Sequence, residues 1–142
     1  MWIHHPQFFL SIIDPHGAYG GGRGIGSDLL LVRARFKGDL ERAFGDAIAP
    51  CVEETPDRDY RFRVFVGRQH VADVIGRALL TLDYKNVKGA TGEIWRQSAY
   101  ADCHAIMERE QRRRAIATAT GRVEPGRRIS DDLSPSLRRG RR

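Results

Sequence analysis

The clearest alternation of apolar and polar positions lies at residues 60–66, Tyr-Arg-Phe-Arg-Val-Phe-Val. Tyr60, Phe62, Val64 and Val66 fall on one side and Arg61, Arg63 and Phe65 on the other, which predicts a half-buried strand. The period then changes. Val71, Val74, Ile75, Ala78, Leu79 and Leu82 recur at helical spacing, so a helix is predicted from Arg68 to Leu82. The stretch Leu82-Asp83-Tyr84-Lys85-Asn86-Val87-Lys88 reads as its stop, with Asn86 suited to a positive φ and Asp83 to bonding the turn.

Two further strands precede this unit. Phe8-Phe9-Leu10-Ser11-Ile12-Ile13 is ended by Asp14-Pro15, and residues 29–36 alternate Leu30, Val32, Ala34 and Phe36 against Leu29, Leu31, Arg33 and Arg35. Between them, Gly20-Gly21-Gly22-Arg23-Gly24-Ile25-Gly26 lacks both GxGxxG and GKS/GKT spacing and precedes a strand. Phosphate loops need a helix N-terminus there, so this run reads as a flexible hairpin loop. It sets the two strands antiparallel. Leu40, Ala43, Phe44, Ala47 and Ile48 predict a helix capped by Asp39 and ended by Pro50. An acidic connection follows, with Glu53, Glu54, Asp57 and Asp59. A last helix is predicted over residues 92–114, with Thr91 as its cap. Trp95, Ala99, Cys103 and Ile106, joined by Met107, form its apolar face, and Trp95 should add to the core.

The order β-β-α-β-α-α implies an α+β fold: a two-layer sandwich with a small, mainly antiparallel sheet and helices on one face. A right-handed crossover would set 29–36 and 60–66 parallel if they are neighbours; otherwise 8–13 lies between them. Residues 1–114 form the expected compact domain. Residues 115–142 form a basic tail, rich in glycine, proline, serine and arginine, that is expected to be disordered.

Charge sharpens that division. The chain of 142 residues carries a net charge of +6. Residues 1–108 hold 13 basic against 14 acidic side chains, whereas residues 109–142 hold eleven arginines against four acids. Any attraction to nucleic acid would start in the tail, at Arg112, Arg113, Arg114, Arg127, Arg128, Arg138, Arg139, Arg141 and Arg142. No apolar run is long enough for a membrane span, and the start has no secretory pattern. Cys51 and Cys103 have neither metal nor CxxC spacing, so a reduced, cytoplasmic protein is expected.

The core does not need the second sheet face. It would display Arg33, Arg35, Arg61, Arg63 and Phe65 beside Phe9, Ser11, Ile13, Leu29 and Leu31. Such a mixture suits a protein interface, ion pairing with the acids of 53–59, or single-stranded nucleic acid. Candidates for chemistry are sparse. The five histidines show no HExxH or zinc spacing, and no metal or cofactor is expected. Asp83, Tyr84 or His70 would serve an enzyme only by converging on one pocket.

Three stretches together resemble a family of small bacterial proteins, a domain of unknown function. They are Met1-Trp2-Ile3 leading to Phe8–Ile13, Leu31-Val32-Arg33-Ala34-Arg35 with Gly38-Asp39-Leu40, and Asp59-Tyr60-Arg61-Phe62-Arg63 with Asp83-Tyr84-Lys85-Asn86-Val87-Lys88. The last segment is similar to a D-Y-x-N-F-K signature, with Val87 in place of its Phe. The resemblance covers residues 1–108 and implies a compact domain, but no catalytic residues. The leading functional expectation is a non-enzymatic module that binds another protein or a second copy of itself. Nucleic-acid binding through the tail and sheet face is the first alternative, and a small-molecule enzyme near Asp83 and Tyr84 the second.

Overall fold

The computed structural model describes residues 1–16 and 26–119. The glycine run at 20–25 and the tail arginines from Arg127 onward lie outside the described residues. Five strands form one sheet: β1 (Trp2–His4), β2 (Phe9–Ile13), β3 (Leu29–Ala34), β4 (Glu53–Glu54) and β5 (Phe62–Gly67). Their spatial order is β1-β2-β3-β5-β4, and every pairing is antiparallel. The helices are α1 (Asp39–Phe44), α2 (Arg68–Leu80), α3 (Val87–Ala90) and α4 (Ile94–Ala119), with a 3-10 turn at Asp46–Cys51. The chain forms two units, Met1–Ala101 and Asp102–Arg142.

The α+β architecture and the antiparallel sheet follow the alternation in the sequence. Phe8, Leu10, Ile12, Val32, Ala34, Phe62, Val64 and Val66 are buried and meet Leu40 and Val71 from α1 and α2. The pairing of β3 with β5 differs from both expected arrangements. They are direct neighbours, and they run antiparallel, with Ala34 opposite Phe62 and Leu29 opposite Gly67. The reason is the short α1. It stops at Gly45 (φ 87°, ψ 162°), a conformation open essentially to glycine alone. The 3-10 turn and β4 then return the chain to the end of the sheet it had just left. Pro50 sits inside that turn.

Helix edges also move. Residues 81–82 fall outside α2, and Leu79 is exposed, because the inward stripe narrows to Val71, Val74 and the half-buried Ile75. Asn86 is extended (φ −150°), and its side chain caps α3 by accepting from the Gly89 N–H at 2.7 Å. Asp83 makes no side-chain hydrogen bond among the described residues. The last helix reaches Ala119, five residues into the segment expected to be disordered.

The largest departure concerns α4. Trp95, Cys103, Ile106 and Met107 are exposed, and among the residues of this helix whose burial is described the buried ones are Arg96 and Tyr100. Asp39 is not a cap. Gly38 (φ 85°) occupies the cap position, and the Asp39 carboxylate turns inward. Its Oδ1 accepts from Arg96 Nη2 at 2.7 Å and from Arg42 Nη2; its Oδ2 accepts from Arg96 Nη1 at 3.0 Å and the Phe9 N–H at 2.9 Å. Arg96 Nε donates to Glu93 at 2.7 Å, and the guanidinium lies 4.5 Å from the centre of the Trp95 ring. The Tyr100 hydroxyl faces the carbonyls of His5 and Phe8, each at 2.9 Å. Burial opposes the charge on Arg96, but its bonds to Asp39, Glu93 and Tyr100 outweigh that and raise its pKa further above the ordinary range.

In the second unit the described residues continue α4. Glu108 pairs with Arg112 at 2.5 Å, and Glu110 pairs with Arg114 at 3.2 Å and Arg113 at 3.6 Å. Glutamate N-terminal to arginine at this spacing supports an exposed helix by ~0.3–0.5 kcal/mol per pair. That local support lets a strongly basic segment stay helical without a buried apolar stripe.

Candidate functional site

The sheet face opposite α1 and α2 is organised in rows by strand register. One row runs across all five strands: Trp2, Ser11, Arg33, Arg63 and Glu53 are successive cross-strand partners. A second row, two residues away along β2, β3 and β5, is apolar: Ile13, Leu31 and Phe65. Phe65 is 42% exposed. At the other end, Trp2 and His4 pack edge-on against Phe9, and Tyr100 stacks on His4 with ring centres 4.8 Å apart.

Arg33 and Arg63 stand directly opposite each other. Like charges in that position repel. Nevertheless neither has a carboxylate within 4.0 Å among the described residues. Arg33 Nη2 donates to Ser11 Oγ at 2.8 Å, and Arg63 Nη2 donates to the Tyr60 carbonyl at 2.9 Å. The Nε atoms of both are buried with no acceptor. The other two arginines expected on this face are engaged differently. Arg61 pairs with Glu54 at 2.7 Å, whereas Arg35 Nη1 donates to the Asp59 carbonyl at 2.7 Å. The fold thus brings Arg33, Arg63 and Arg35 together around Tyr60, with Phe65 in the adjoining row, and leaves Arg61 in an exposed ion pair.

Tyr60 is buried as expected, but it stands apart from the main apolar cluster, beneath the arginines of this face. Residues 58–61 bend before β5 begins at Phe62, and the alternation is broken there. The Tyr60 ring is buried beneath two guanidiniums, with Arg33 and Arg35 each 4.4 Å from its centre. Cation–π contact of this kind fixes the forks in place. Ser11 is the other residue missed as functional; its partnership with Arg33 follows from register, which no local pattern encodes. Phe36, expected inward, is partly exposed and leans on Trp95.

The proposed enzyme residues divide. Asp83 and Tyr84 line an open cleft of about 270 Å³ together with His5, Gln7 and Thr81. His70 is elsewhere, against the Phe44 ring. Burial lowers the pKa of His5, and its Nδ1 accepts from the Gln7 N–H at 3.3 Å, which places the proton of the neutral ring on Nε2. Cys51 and Cys103 are free and exposed. No group of three metal-binding side chains is present among the described residues, and none of their helices is long and apolar enough to cross a membrane. Arg112, Arg113 and Arg114 lie on α4 and are paired with glutamates.

These contacts hold arginine side chains in fixed positions on one sheet face of an α+β scaffold. No family model, curated protein or solved structure matches this chain.

Proposed function

We propose that this protein is a non-enzymatic interaction module that binds another protein on the outer face of its sheet. The observation that carries this reading is the Arg33–Arg63 pair, set side by side without carboxylate partners among the described residues and flanked by an apolar row ending in exposed Phe65. Arginine and aromatic side chains on a preformed surface are the usual anchors of protein interfaces. Strand backbone holds them, so little ordering cost remains at binding.

A photo-crosslinking amino acid in place of Phe65 tests the reading in cells. The same group in place of Leu80, 88% exposed on α2, serves as the control. Adducts from position 65 to one discrete protein, absent when Arg33→Glu and Arg63→Glu are combined, support it. Adducts to nucleic acid, to a second copy of the chain, or equally from position 80 overturn it.

A further inference from the structure

Deepening that reading, we infer that Arg33 and Arg63 form a seat for one carboxylate of the partner, an aspartate or glutamate side chain. The inference starts from what the two guanidiniums lack. Each donates one Nη2 hydrogen bond to the protein, and the Nε of each is buried out of a ligand's reach, which leaves the Nη ends as the donors a ligand can meet. Neither Nη1 has a protein acceptor among the described residues. A carboxylate has two oxygens and about four acceptor sites, and it can engage two forks at once. Ser11 and Tyr60 hold the forks at adjacent register positions, which preorganises the pair.

The surroundings favour a single carboxylate over a phosphate chain. Glu53 follows Arg63 in the same row, and Glu54 is its exposed neighbour on β4. A nucleic-acid backbone extended past Arg63 would meet Glu53, whereas Glu54 shares the register of inward Phe62 and pairs with Arg61. The basic residues of 1–108 are outnumbered by acidic ones, 13 against 14, so no broad positive field steers a polyanion to this face. The Ile13–Leu31–Phe65 row lies two residues along the strands, about 7 Å away. An acidic residue next to a large apolar one would fill both rows.

The test uses the full chain with nitrogen-15 arginine and follows the Nε–Hε signals of Arg33 and Arg63. The probes are a capped Leu-Glu-Leu peptide, its Leu-Gln-Leu counterpart and a short single-stranded oligothymidylate, at constant ionic strength. The expected result is a saturable shift of both signals with the glutamate peptide alone, leaving Arg68 and Arg77 unmoved. Arg63→Gln should weaken the response at Arg33 about tenfold or more, the loss of a charge-assisted bond. Equal shifts with the glutamine peptide, no saturable shift, or tighter response to the oligonucleotide would overturn the seat. Saturable glutamate binding without crosslinks from position 65 would leave the seat standing and remove the protein-partner reading. Crosslinks without glutamate binding would do the reverse.

Discussion

Arg96 and Asp39, 57 residues apart, meet in a two-pronged ion pair with both side chains 0% exposed. The carboxylate takes four donors and the guanidinium gives its fork to it, so both charges are satisfied away from water. Asp39→Asn keeps the shape and leaves the buried Arg96 charge with the partly exposed Glu93 as its remaining carboxylate. A loss of about 3–5 kcal/mol in folding stability is expected, read from urea unfolding. Arg96→Met with Asp39→Asn should recover part of that loss, because the second change removes the stranded charge.

Acid should loosen the same corner. His4 and His5 are both held below the ordinary histidine pKa of 6.5 by burial. As pH falls, the unfolded chain takes up these protons before the folded one does. The stability contribution is therefore full above the unfolded value and is lost as pH drops from there toward the folded values. Unfolding midpoints measured from about pH 7.5 to 5.5 should decline, and His4→Gln with His5→Gln should flatten the decline.

Much of the fold was legible because it is written in local alternation. Leu10, Ile12, Val32, Ala34, Val64 and Val66 are inward in the sequence pattern and buried in the structure. What stayed hidden is polar or non-local. Arg96 and Tyr100 are four residues apart on α4, but an arginine on a helix ordinarily marks its solvent side, so the exposed Trp95 stripe drew the reading instead. Asp39 has the ordinary signature of a helix cap, and its true partner is invisible at a separation of 57 residues. For the candidate site, alternation put Arg33 and Arg63 on one face. Register alone made them neighbours, and the bend before Phe62 brought Tyr60 beneath Arg33.

The glycines of α1 give a graded test. Gly45 holds φ 87° with ψ 162°, so Gly45→Ala should cost about 1–3 kcal/mol in backbone strain. Gly38 holds φ 85° with ψ −8°, near the left-handed region that asparagine tolerates. A side chain there would meet Arg42 Nη1 at 3.1 Å, the movable end of a long residue. Gly38→Asn should therefore be the milder change when thermal midpoints are compared.

Removing one charge from the central row should not weaken the fold. Directly opposed like charges cost about 0.2–1 kcal/mol, and Arg63 Nε is buried without an acceptor. Arg63→Gln is expected to melt at or above the wild-type temperature. A clear fall would show that the packing of the arginine stem on the sheet outweighs the repulsion.

The outermost strands are also the shortest. β1 has three residues and β4 two, against five or six in each strand between them. Few backbone groups are left at either rim to template a new strand, and one rim presents Glu53 and Glu54 side by side. Lateral growth, by which small sheets fuse or aggregate, is disfavoured at both ends. What the sheet leaves open is its face, which presents side chains rather than unpaired backbone.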